Sequence, residues 1–221
     1  MSVAEPSWRG AILFDLDGTL IDSVPDITLA VNELMALDGL APFADDDIRR
    51  MVGYGLTVLV QRAYAARQFT SPQPDARLDE MRSIYGRHLT GRTVLIPGAR
   101  ETLRQLWQEN WRIAVVTNKL QTAAETILRH FELTQYLTLV LGDGAGLALK
   151  PAPDMLLAAC RQLAMPVQRA YMVGDSPADI AAARAANIRS VVLRGGYTSE
   201  PVESLGADRI IDELPQLAVI V

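Results

Sequence analysis

A short apolar run, Ala11-Ile12-Leu13-Phe14, passes without a linker into the polar stretch Asp15-Leu16-Asp17-Gly18. That pattern describes a strand buried on both faces that ends in a loop, the grammar of a parallel sheet. It recurs at Ile113-Ala114-Val115-Val116 before Thr117-Asn118, at 137–141 before Gly142-Asp143-Gly144, and at Tyr171-Met172-Val173 before Gly174-Asp175. Two further runs, 190–193 before Arg194-Gly195-Gly196 and the edge candidate Arg209-Ile210-Ile211 before Asp212, continue it. Helix-length stretches at 98–110, 120–131, 153–163 and 176–187 lie between them. Strand alternating with helix demands crossover connections and predicts an α/β fold, a Rossmann-like parallel sheet covered on both faces. In such a sheet the loops at the carboxyl ends of the strands converge on one crevice.

One region departs from this grammar. From 22 to 95 the periodicity is helical (27–37, 47–66 and 76–89), with turn signals at Ser71-Pro72-Gln73-Pro74 and no strand pattern. The expectation is an inserted all-helical cap domain at 22–95, with residues 1–21 and 96–221 forming the catalytic core.

The converging loops carry a coherent chemistry. Asp15 and Asp17 place two carboxylates two residues apart at the end of a buried strand, which is costly unless a cation lies beside them. Magnesium suits this arrangement, because it takes hard oxygen ligands and is held by one or two carboxylates together with phosphate oxygens. Thr117 and Asn118 add a hydroxyl and an amide. Lys150 is one of only two lysines, the other being Lys119, and Asp175 and Asp179 add two more acids.

In these residues the chain resembles the haloacid dehalogenase superfamily of phosphohydrolases, in the branch with a helical cap after the first motif. Asp15-Leu16-Asp17-Gly18-Thr19 resembles its first motif, Thr117-Asn118 the second, Lys150-Pro151 the third, and Gly174-Asp175 through Asp179 the fourth. The resemblance implies that Asp15 is the nucleophile and Asp17 the general acid and base. It implies magnesium on the Asp15 carboxylate, the Asp17 main-chain carbonyl and Asp175, with Asp179 orienting Lys150 or a metal-bound water. Lys150, Thr117 and Asn118 are then expected to hold the phosphate, and Tyr54, in the turn Val52-Gly53-Tyr54-Gly55, to face the substrate from the cap. Arg49 or Arg50 is a candidate partner for a substrate carboxylate, and neither His88 nor His130 is assigned a role.

Neighbouring activities separate on single residues. Dehalogenases of this superfamily lack an acid at the position of Asp17, and phosphonate-cleaving relatives need a cap lysine, which 22–95 does not contain. A sugar-phosphate mutase of the β-phosphoglucomutase type stays as the enzymatic alternative, and a non-catalytic phosphate-binding relative as the other. The segments 22–27, 49–55 and Arg194-Gly195-Gly196-Tyr197 resemble bacterial phosphoglycolate phosphatases, so 2-phosphoglycolate is the expected substrate.

The net charge of −5 argues against nucleic acid or an anionic membrane surface as partner, leaving a small phosphorylated metabolite. The single cysteine, Cys160, allows no intramolecular disulfide, and Met1 to Gly10 lacks an apolar signal-type stretch. A cytoplasmic location is expected, while the sequence leaves the oligomeric state open.

Overall fold

The run ahead of Asp15 forms β1, Gly10–Phe14, and all of its residues are buried. The structure, a computed structural model, describes residues 8–221; most of the segment Met1 to Gly10, read above for a signal-type stretch, lies outside them. Two parallel neighbours flank β1, namely β4 (Trp111–Leu120) and β6 (Ala170–Gly174). The six-stranded sheet has the order β5-β4-β1-β6-β7-β8, where β5 is Leu139–Asp143, β7 is Arg189–Leu193 and β8 is Arg209–Ile211. After β1 the chain builds outward through β4 and β5, then crosses back to lay β6 against the other side of β1. The order therefore reverses around β1, and the crevice above the carboxyl ends of β4, β1 and β6 is where such a sheet binds ligands.

The alternation of side chains along β1 divides the core into two layers. Ile12 and Phe14 point into a cluster with Leu103 and Leu106 of α5 (Ala99–Gln108) and Ile127 and Leu128 of α6 (Gln121–His130). Ala11 and Leu13 point into the opposite one, with Leu156 and Ala159 of α7 (Asp154–Gln162) and Ala182 and Ala183 of α8 (Pro177–Ala185). Phe14 is wholly buried; truncating it to alanine should cost about 3–5 kcal/mol through lost burial and the cavity left behind. Cys160 is a buried free thiol whose pKa burial pushes up to about 11.

Between β2 (Ile21–Asp22) and β3 (Val94–Leu95) lie α1 (Val24–Leu37), α2 (Asp45–Arg49), α3 (Leu56–Ala66) and α4 (Pro74–Arg87). These helices bury a cluster of their own, including Ile27, Leu34, Ile48, Leu59, Met81 and Tyr85. β2 and β3 pair antiparallel, so the chain leaves and re-enters the sheet region side by side. The buried Asp26 carboxylate accepts from Arg92 N, Thr93 N and Thr93 Oγ1, fastening the first turn of α1 to the chain just before β3.

Three local expectations are corrected. The helical stretch expected over 47–66 is broken into α2 and α3, because Gly53 and Gly55 take φ of 113° and 86° and end the helical run. The β2–β3 ribbon falls in a region read as strand-free, since two-residue strands are too short to show a period. The strand expected at 137–141 is shifted to Leu139–Asp143, where Thr138 N bonds to Ile113 O just before it.

Candidate active site

The loop after β1 is held by backbone contacts that only a small residue permits. Asp15 N donates to Val173 O at 2.9 Å, and Gly18 has a φ of 85°. A Cβ on Gly18 would lie 2.3 Å from Asp175 Oδ2, and one on Gly196 would lie 2.2 Å from Asp175 Cβ. Asp175 is thus enclosed by two glycine-lined loops. Thr19 Oγ1 donates to its Oδ1 at 2.9 Å and Tyr197 N to its Oδ2 at 2.7 Å.

Lys150, buried at the end of its loop, sits among acceptors. Its Nζ is 2.8 Å from Asp15 Oδ1, 2.6 Å from Asp179 Oδ1 and 2.8 Å from Val116 O. Asp179 is the third residue of α8, where its Oδ2 accepts from Ser176 Oγ at 2.6 Å and Ser176 N at 3.1 Å, closing a capping box. The helix N-terminus stabilises that negative charge. Asp179 is therefore saturated by Lys150 and Ser176.

Carboxylate oxygens of Asp15, Asp175 and Asp179 all lie within 4.8 Å of one another, and all three residues are buried. One ammonium for three carboxylates leaves excess negative charge in a low-dielectric place. Burial pushes the Asp15 carboxyl up to about 6 against the opposing pull of Lys150. Asp175 is pushed well above the carboxylate range by burial first and then by Asp179 and Asp15. A hard divalent cation fits this donor set, because it would restore the ionised forms. Asp179 gives Oδ1 to the Lys150 ammonium and Oδ2 to three donors from Asp175 and Ser176, whereas Asp175 holds one donor on each oxygen and Asp15 only Lys150, so Asp15 and Asp175 keep the lone pairs able to ligate.

Asp17 turns its carboxylate the other way. Lys119 Nζ lies 2.8 Å and 3.0 Å from its two oxygens, and Ser23 Oγ donates at 2.5 Å. Burial alone would lower the Lys119 ammonium's pKa, but the Asp17 carboxylate outweighs that and holds it above its ordinary value. The two lysines thus divide the two aspartates, Lys150 with Asp15 and Lys119 with Asp17. Sequence reasoning noted Lys119 only for its rarity. The available signal was its place directly after Thr117-Asn118.

The remaining candidates fall at the same crevice with different engagements. Thr117 is buried, and its Oγ1 accepts from Lys119 N at 3.2 Å. Asn118, expected to meet substrate, uses its side chain as a brace: Nδ2 donates to Lys150 O at 2.8 Å and Gly53 O at 3.0 Å, and Oδ1 accepts from Lys150 N at 2.9 Å. Tyr54 lines the outer mouth with Asp15, Asp17 and Asp175, beneath the Arg62 guanidinium at 4.6 Å from its ring. Arg49 pairs with Asp22 and stacks over Tyr197, and Arg50 pairs with Asp47, so both have partners within the chain. His88 lies 3.0 Å from Glu33, a partner the sequence did not reveal. Tyr197, singled out only as the end of the Arg194–Tyr197 segment, has contacts the sequence did not reveal: its Oη accepts from Ser23 N and donates to Asp22 Oδ1, each at 2.8 Å, while its N–H holds Asp175.

The family pattern of haloacid dehalogenase-like hydrolases matches residues 12–193, which runs from within β1 to the end of β7 and holds every residue just described except Gly196 and Tyr197. The chain belongs to that family. Among haloacid dehalogenase-like hydrolases it is phosphoglycolate phosphatase-like. It is 39% identical over 214 residues to a phosphoglycolate phosphatase of Cereibacter sphaeroides, covering 93% of this chain and 96% of that protein. The fold is shared with the crystal structure of a predicted phosphoglycolate phosphatase from Haemophilus somnus, at a TM-score of 0.91 and 29% identity, covering 96% of this chain and 97% of that one. A variant of CbbY from Rhodobacter sphaeroides, solved in complex with xylulose-(1,5)bisphosphate, is also similar, at a TM-score of 0.81 and 26% identity over 95% of this hydrolase and 96% of that chain.

Proposed function

We propose that this hydrolase is a magnesium-dependent phosphatase that cleaves 2-phosphoglycolate through an aspartyl-phosphate on Asp15. The observation that carries the reading is the opposed placement of two aspartates on one loop, Asp15 toward Lys150 and the buried acids, Asp17 toward Lys119 and Ser23. A reaction in two halves needs a nucleophile and a separate proton carrier facing the same cleft, and both residues line it.

In the first half the Asp15 carboxylate attacks phosphorus, and the P–O bond to the alcohol breaks as Asp17 delivers a proton to the leaving oxygen. In the second half Asp17 removes a proton from water, which displaces Asp15 from phosphorus and gives inorganic phosphate. Lys150 supports both halves by placing an ammonium beside the attacking carboxylate, a preset charge that needs no rearrangement as the phosphoryl group moves. Magnesium would be held by the Asp15 carboxylate, the Asp17 main-chain carbonyl and Asp175, and supplies charge neutralisation that lets two anions approach. The helices between β2 and β3 act as a cap over the cleft. A cytoplasmic setting fits a buried, unpaired Cys160; among the described residues no helix is long and apolar enough to cross a membrane.

Phosphate release from 2-phosphoglycolate, with magnesium and with a chelator, tests the reading. Release that depends on the metal and exceeds that from sugar phosphates is expected. Phosphoryl transfer between sugar hydroxyls with little free phosphate would replace the phosphatase with the mutase alternative.

A further inference from the structure

On the leaving-group side of the cleft stand two donors that the reaction above does not use. An ammonium has three N–H groups, and Asp17 takes two contacts from Lys119. The Lys119 ammonium rests 4.8 Å from the ring centroid of Tyr85, a residue of α4 that is 3% exposed. Tyr85 Oη is buried, and among the described residues its O–H meets no acceptor. Burial pushes the Tyr85 phenol up to about 12, so it stays an O–H donor at neutral pH. A buried hydroxyl with no acceptor is unfavourable, and native proteins seldom keep one without a use.

The surroundings narrow what these donors are for. Both residues line the inner cleft with Asp15 and Asp17, and the rest of that wall is largely apolar, with Ile27, Leu56, Leu59, Met81 and Leu120. The cap arginines offer less: Arg49 and Arg50 are paired with acids, and Arg62 is stacked on Tyr54 at the outer mouth. An atom that accepts the Asp17 proton lies beside the group that grips Asp17. A substituent one carbon from the ester oxygen is then within reach of Lys119.

We propose that Lys119 and Tyr85 form a carboxylate subsite for the leaving group, which selects phosphomonoesters of short hydroxy acids over those of neutral alcohols. The inference rests on the assignment of Asp17 to the leaving-group side and deepens the proposed function by naming what holds the glycolate carboxylate. Lys119 supplies the charge from the sheet, and Tyr85 supplies a hydrogen bond from the cap.

Binding without turnover separates this from a role in positioning Asp17. Phosphonoacetate and ethylphosphonate share a phosphonate that is not hydrolysed and differ in the carboxylate. Calorimetric titration of each into the magnesium-loaded protein gives an affinity ratio. The wild type should bind phosphonoacetate at least about tenfold more tightly, the size expected of one charge-assisted hydrogen bond. In Lys119→Met the ratio should fall close to one, in Tyr85→Phe it should fall about three- to tenfold, and Lys119→Arg should recover part of it. A wild-type ratio near one, or a ratio unchanged in these variants while turnover drops, overturns the subsite. Tyr85→Phe keeps the ring and its packing, so it decides the matter even where Lys119→Met fails to fold. Failure of the substrate assignment reads differently: the wild type would then hydrolyse an aryl phosphate and leave 2-phosphoglycolate intact, whatever the affinity ratio.

Discussion

The two sides of the cleft are built by different means. On the sheet side, Asp15, Lys150, Asp175 and Asp179, on strand-end loops and the start of α8, are locked by backbone partners, by glycines that admit no Cβ and by a capping box. On the other side, the Asp17 carboxylate is gripped by the side chains of Lys119, from β4, and Ser23, and the wall beyond it belongs to helices with a separate core. Groups fixed by backbone serve a step that is the same for every phosphomonoester. Groups fixed by side chains can be exchanged one at a time to suit a different alcohol, so specificity belongs on the second side.

Substitutions at the two aspartates should break this contrast most severely. Asp15→Asn removes the nucleophile and should lower turnover roughly 10⁴-fold or more; rapid-quench labelling should find no phosphoenzyme, and near-wild-type turnover would disprove the nucleophile. Asp17→Asn should cost roughly 10²–10⁴-fold on 2-phosphoglycolate, the usual span of general acid–base catalysis. With an aryl phosphate, whose leaving group needs no proton, the first half should recover and the second should not. Borohydride trapping and mass spectrometry should then find label on Asp15, and steady-state hydrolysis at the wild-type rate without that adduct would count against Asp17.

The acid cluster predicts a pH signature confined to the sheet side. Asp15 is raised from 3.8 to about 6 in the folded protein, so its protonation favours the folded state. That contribution is full below the unfolded value and is lost as pH rises through about 6. A divalent ion needs the ionised form, and its affinity should rise across the same window by up to about tenfold per pH unit for each proton displaced. Melting temperatures with magnesium and with chelator should diverge between about pH 5 and about pH 7. Parallel curves would remove Asp15 from the metal.

Two glycines sharpen the comparison at smaller scale. Gly196→Ala drives a methyl into Asp175, and overpacking of about 1–3 kcal/mol predicts roughly tenfold weaker metal binding. Gly53→Ala meets nothing within 4 Å and bears only the strain of its φ of 113°, about 1–2 kcal/mol in stability. Magnesium titration should respond to the first and not to the second.

What the sequence reveals follows the same division. The strand runs and the acids at their ends are legible because burial on both faces forces unbroken apolar stretches, as in β1 and β6. The position of Lys119 after Thr117-Asn118 is legible but its pairing is not, since its partner Asp17 is 102 residues away and only the β1–β4 register brings them together. The engagement of Asn118 is hidden for the same reason: its partners Gly53 and Lys150 come from two distant loops. The 47–66 stretch misleads because Ile48, Val52, Leu56 and Val60 keep the apolar spacing of a helix across a break that two glycines impose.

The ribbon of β2 and β3 has a consequence for how such a protein changes over time. Its strands are hydrogen-bonded neighbours, with Ile21 opposite Leu95 and Asp22 opposite Val94. Seen from the sheet, everything between those residues begins and ends at one point, as a hairpin turn does. The sheet does not register whether that interval holds four helices, two or a short loop, and insertions whose ends already meet are the kind that folds accept. The helical segment is therefore a cassette: it can be lengthened, replaced by another or exchanged between relatives, while Asp15, Lys150 and Asp175 remain in place.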